Sequence, residues 1–257
     1  LGVARSEPDL KLRARAITAL GATNDDTVID ALREFALNST DNDIVEASLY
    51  ALSRHTSDRA INVLADIAIS GKTPAQRKVA IASIASRPGE PAVDALFRIY
   101  DADQTVEIRK TVISGFGNRK SERAGTKLLE IARSSDNIEL RKSAVSAISR
   151  RGGDKAIEFL LSLYDTEKSE EVKDQIINSL GSGHTFYSVG QTPKAIRAGN
   201  ATIVGSSSRM NDDRVINKLI EIARDPQAPM DRRKRAIGWL SRSNDPKVLD
   251  FLQQLLR

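Results

Sequence analysis

The sequence predicts an all-α fold, a right-handed α-solenoid of about seven helical pairs, and three regularities carry that prediction. Leu32, Leu64, Leu96, Leu128 and Leu160 recur with a period of 32, and Leu20, Leu52, Ile84, Phe116, Ile148 and Leu180 keep the same step. A period of this length marks units too small to bury their own apolar faces, which must stack on neighbours. The residues that open helices recur in the same register as the core, so local and long-range signals agree.

Along the chain, residues 1–7 come first and read as the remnant of a preceding helix. Val3-Ala4-Arg5-Ser6 stands four periods before Ile131-Ala132-Arg133-Ser134, which ends a helix in mid-array. The expectation is an apolar end of the kind solenoids normally cover with a polar cap. Asp9 then opens the first full helix of one class, followed by Asp41, Thr73, Thr105, Asn137 and Ser169. These residue types satisfy orphan N–H groups at a helix start, and Pro74 falls in the first turn, where proline is tolerated. Alternating with them, Asp25, Ser57, Gly89, Ser121, Gly153, Asp212 and Asp245 open the second class. The next residue is an acid in six of those seven, Asp26, Asp58, Glu90, Glu122, Asp154 and Asp213, where the positive helix end favours it. One unit shows the construction. Leu140, Ala144, Val145 and Ile148 line one helical face, Ile157, Leu160 and Leu163 line the next, and Arg151-Gly152-Gly153 turns between them.

The register breaks once. Leu219 follows Leu160 by one period plus 27, which places a Gly/Ser-rich insertion at 182–210 inside a single solenoid domain spanning 1–257. It carries Phe186, Tyr187, His184, Lys194 and Arg197. Two readings fit so long an insertion, a functional loop or a linker. Phe186 and Tyr187 either meet a partner or fold back over the adjoining repeat.

Val106-Glu107-Ile108-Arg109, Ile138-Glu139-Leu140-Arg141-Lys142-Ser143-Ala144 and Met230-Asp231-Arg232-Arg233-Lys234-Arg235-Ala236 resemble the V-R-x-x-A helix of HEAT repeats, in particular the short phycobilisome-lyase type. The resemblance covers nearly the whole chain. It implies that the Arg-bearing helices face the concave side and that an acid six residues upstream ladders to each Arg, as Glu7 to Arg13 and Asp103 to Arg109. Val45 and Lys173 depart from the Arg pattern. HEAT repeats serve many unrelated roles, so the resemblance implies shape and leaves chemistry open.

The inventory argues against catalysis in this chain. With no cysteine and two distant histidines, His55 and His184, a zinc site of ordinary spacing has almost no ligands, and no cofactor is expected. His55 reads as a solvated turn residue. Gly115-Phe116-Gly117-Asn118-Arg119-Lys120-Ser121 has the wrong spacing for a phosphate loop and joins helix to helix. No window approaches a membrane span, so insertion into a membrane is not expected.

Charge suggests partners instead. The net charge is +5, and Lys78, Lys110 and Lys142 fall at repeat spacing, as do Arg54, Arg87, Arg119 and Arg151 near helix ends. Stacking would make both into stripes, suited to an acidic protein segment or, as the runner-up, a nucleic-acid backbone. Local pairs offer a plainer account, since Glu107 precedes Lys110 and Glu139 precedes Lys142 by three residues. Small residues expected on the exposed face, Ala82, Ser83, Ser114, Gly115, Ser146 and Ala147, would either let a partner approach or serve tight packing. Tyr50 and Trp239 are the candidate aromatic anchors. The function expected is a non-catalytic scaffold for a protein or peptide, with phosphate-backbone binding or an accessory role to an enzyme as alternatives. The binding set is Lys78, Lys110, Lys142, Phe186, Tyr187, Lys194, Arg197, Tyr50 and Trp239.

Overall fold

A computed structural model describes residues 1–23, 25–103, 105–182 and 212–255. Helices follow one another along these residues: α1 (Gly2–Ser6), α2 (Leu10–Leu20), a 3-10 turn at Asp26–Val28 leading into α3 (Ile29–Asn38), α4 (Asn42–Arg54), α5 (Asp58–Ser70), α6 (Pro74–Ala85), α7 (Glu90–Ala102) and α8 (Val106–Gly117). Then come α9 (Glu122–Ser134), α10 (Ile138–Arg151), α11 (Asp154–Thr166), α12 (Glu170–Gly181), α13 (Asp213–Arg224), α14 (Met230–Leu240) and α15 (Pro246–Leu255).

The chain divides into two compact units, Leu1–Gly125 and Thr126–Arg257. In the first, α2, α4, α6 and α8 pack in succession, α3, α5 and α7 do the same, and each odd helix packs on the even helix after it. The second repeats the plan with α10, α12 and α14 in one row and α11, α13 and α15 in the other. This is the α-solenoid the period predicts. Leu32, Leu64 and Leu96 are fully buried in the first unit, and Leu128 and Leu160 in the second. The other row, Leu52, Ile84 and Phe116, then Ile148 and Leu180, is equally enclosed. Among the described residues no helix is long and apolar enough to cross a membrane.

Most helix starts are held as their residue types dictate. Asp9 accepts from the Lys11 and Leu12 amides, Asp41 from Ile44, Asn137 from Leu140 and Ser169 from Val172. Thr73 and Gln76 form a reciprocal capping box around Pro74. Gly89 and Gly153 open their helices at φ of 89° and 79°, the left-handed region that favours glycine. Thr105 differs from expectation. Its side chain does not cap α8, and its amide and hydroxyl both donate to Asp103 Oδ1 at 2.7 Å.

A seam of small residues sets how closely successive even helices approach. A Cβ on Gly21 would overlap the backbone of Ala51, Gly115 lies against Ala85, and Ser149 Oγ donates to the Ser179 carbonyl at 2.9 Å. Gly115 and Ala147 are therefore buried, correcting the expectation that they line an exposed face. At the last turn of this seam the sizes change: a Cβ on Gly181 would overlap the Trp239 indole. A large residue is admitted there because the facing residue has no side chain.

Candidate interaction surface

Charged side chains in both units are of two kinds, those that hold repeats together and those that face outward. The motif arginines belong to the first kind. Arg13, Arg77, Arg109 and Arg141 each donate Nε to a carbonyl nine residues earlier, at 2.9, 2.7, 3.2 and 3.2 Å, and Arg233 donates to the Ala223 carbonyl, ten residues earlier, at 3.0 Å. Each closes the carbonyl end of the preceding odd helix, where a cation also complements the dipole. The acid ladder runs differently from the one the resemblance implies. Asp103 pairs with Arg77 and Glu167 with Arg141, so each acid reaches back to the even helix of the unit before it. Asp103 offers Arg109 only its backbone carbonyl, at 2.8 Å.

The second arginine row is turned inward at two of its positions. Arg87 donates to the Leu52 and Ser57 carbonyls and Arg119 to those of Ile84 and Gly89, stapling each loop to the unit before it. Burial pushes both guanidinium groups below their ordinary range, against the pull of Asp58 and Glu90 respectively. His55 holds the same register one period before Arg87. It is 1% exposed, which corrects the solvated reading. Its Nδ1 accepts from the Ser57 amide at 3.4 Å, and its Nε2 lies 3.8 Å from Asp26 Oδ1.

The lysine row is engaged as well. Lys78 Nζ lies 2.5 Å from Glu107 Oε1, and that hydrogen bond holds the Glu107 carboxyl below its usual range. Lys142 lies 2.9 Å from Glu139 and 3.5 Å from Glu171, which raise its ammonium, Glu139 foremost. Lys110 adds to the positive field at Glu107. The Lys78–Glu107 and Lys142–Glu171 pairs, with the 3.0 Å bond from Gln175 Nε2 to Ser146 Oγ, join neighbouring even helices at a constant offset of 29 residues.

The same offset leads from Tyr50 of α4 to Val79 of α6. Tyr50 is 50% exposed and Val79 48%. Arg54 lies against the ring, with Cζ 5.8 Å from its centroid and Nη1 3.4 Å from Oη. One and two turns before Tyr50 on the same stripe are Glu46 and Asp43, both exposed. Among the described residues neither carboxylate has an ion-pair partner. Trp239 has a different setting: it is half-buried between Gly181 and the Arg242 guanidinium, whose Cζ is 4.4 Å from the ring. Phe186, Tyr187, Lys194 and Arg197 lie outside the described residues, as does the insertion from residue 183 to its end.

A charged cluster in the second unit escapes sequence reasoning. Arg232 is 3% exposed and pairs with Glu170 at 2.5 Å and Asp174 at 2.8 Å, while Arg235 reaches Asp174 at 2.8 Å. Burial alone would raise the Asp174 carboxyl, but hydrogen bonds from Arg232 and Arg235 hold it below its ordinary value. Lys173 and Lys218 stand 5.6 and 5.5 Å from the Tyr164 ring, whose phenol burial pushes up. The cluster ties α12 to α14 across the inserted stretch. Its one sequence signal is the extra arginine in Met230-Asp231-Arg232-Arg233. Among the described residues no group of His, Asp and Glu is arranged to hold a metal ion.

Fold and surface together define a helical-repeat protein. The chain matches the HEAT-repeat family over residues 1–85 and 90–181 and belongs to it. No protein of curated function matches it in sequence. Similar solved structures include the complex of CpcE and CpcF of phycocyanin lyase from Nostoc, at 15% identity and TM-score 0.42, covering 99% of this chain and 92% of that one. Human deoxyhypusine hydroxylase in complex with glycerol matches at 16% identity and TM-score 0.37, covering 96% and 84%.

Proposed function

We propose that the chain is a non-catalytic scaffold that captures a protein or peptide segment on the even-helix face of its first unit. Tyr50 carries this reading. It is a half-exposed aromatic at a register position that is small in the next two units, Ala82 and Ser114. Exposed aromatics with an apolar neighbour are the common anchors of protein interfaces. The surrounding arginine staples supply a face already held in place, which lowers the ordering cost of binding. A phosphate-backbone track along the lysine row is the weaker reading, because Lys78 and Lys142 would first have to release the carboxylates they hold.

Site-specific photo-cross-linking tests the proposal, with the cross-linker at Val79 and, as a control, at exposed Glu34 on α3. A discrete protein adduct from the native source at Val79, absent at Glu34 and lost with Tyr50→Ala, is expected. Identical products at both positions, or nuclease-sensitive ones, would overturn it.

A further inference from the structure

We infer that the segment this face accepts is basic with an apolar anchor, the reverse of the acidic segment that the lysine row suggests. The inference rests on the scaffold reading above and adds the chemistry of the partner. It follows from what α4 does in the array: α12 also carries an acid at this register, Asp174, but there Arg232 and Arg235 answer it. Glu46 stands where Lys78, Lys110 and Lys142 stand in the next three units, and Tyr50 where Ala82, Ser114 and Ser146 stand. At Lys78 and Lys142 the charge is answered by Glu107 and Glu171 on the following even helix. Among the described residues, no cation answers Glu46 or Asp43 of α4. The same offset leads from Glu46 to Ala75 and from Asp43 to Lys72, which forms no ion pair with it.

Two carboxylates and an aromatic thus occupy one stripe at i, i+3 and i+7, about 10 Å from end to end at helical rise. Val79 widens the apolar floor at the Tyr50 end. Arg54, against the Tyr50 ring, repels a cation placed beyond it. The stripe therefore has a direction: cations of the partner lie over Asp43 and Glu46, and its apolar residue lies over Tyr50 and Val79. Opposite charge across an interface steers encounter and fixes register, while the buried anchor supplies most of the affinity.

Random peptides displayed on phage and panned on the full chain test this, with Glu46→Lys and Tyr50→Ala as comparison proteins. Glu46→Lys restores the residue found at the same place in three other units, and an unchanged thermal melt for each variant shows that it folds. Enriched peptides are expected to carry two or more Lys or Arg residues beside an aliphatic or aromatic one. A synthetic winner should bind each variant about tenfold more weakly than the parent chain. Acidic winners, or winners indifferent to Glu46→Lys, would overturn the charge assignment while leaving the scaffold reading in place. Failure to enrich any peptide would also overturn it, and the cross-linking at Val79 then shows whether the scaffold reading falls with it.

Discussion

Gly181 and Trp239 show how much a single residue pair can decide. Because a Cβ at Gly181 has no room beside the indole, Gly181→Ala is expected to destabilise the second unit by about 2–3 kcal/mol. Adding Trp239→Ser should restore part of the loss in the same urea-unfolding measurement. Asp174 offers a test with a pH signature. Its folded carboxyl titrates below its unfolded value, so the stability it contributes is present above the unfolded pKa and is lost as pH falls through the folded one. Asp174→Asn should cost about 1–3 kcal/mol at neutral pH, and its difference from the parent should shrink below about pH 4. The core leucines were readable at this scale because burial follows hydrophobic register. His55 was not, since a turn position says nothing about the neighbouring loop that covers it.

Within helices and their joins, the same type of ion pair has two different weights. Arg77→Met leaves Asp103 buried without its cation and is expected to cost about 3–5 kcal/mol. Arg59→Ala removes an exposed pair with Asp30, 2.7 Å apart, and should cost less than about 1 kcal/mol. Denaturant unfolding of the two variants side by side checks the contrast. Helix starts were legible from sequence because a cap acts within three residues of itself, as at Asp41 and Asn137. The ladder was not, because Asp103 lies six residues from Arg109 in the chain but pairs with Arg77 across a stacking interface. The lysine row was visible as a row, and the Glu107 that answers Lys78 could not be assigned without the offset between successive even helices.

At the scale of the whole chain, the period alone specified the architecture, and the proposed partner surface rests on where one unit breaks the pattern. Charge is unevenly divided: Leu1–Gly125 holds 17 basic and 17 acidic residues, whereas Thr126–Arg257 holds 22 and 17. The net positive charge that suggests an acidic partner thus lies outside the unit that bears Tyr50. Since repeats interact with nearest neighbours, the damage from Gly181→Ala should stay local. Amide hydrogen exchange is expected to quicken in α12 and α14 and to remain unchanged in α4 and α6. The Gly181–Trp239 contact also limits how such a protein could grow. In register, Ser241 follows Leu240 as Gly181 follows Leu180, so a duplicated α13–α14 module appended after the original would press its indole against a serine side chain. Upstream joins such as Gly21 with Ala51 and Ala85 with Gly115 carry no such bulk. The modules are therefore not interchangeable bricks, and lengthening this array by copying its end would require a second, simultaneous change to glycine.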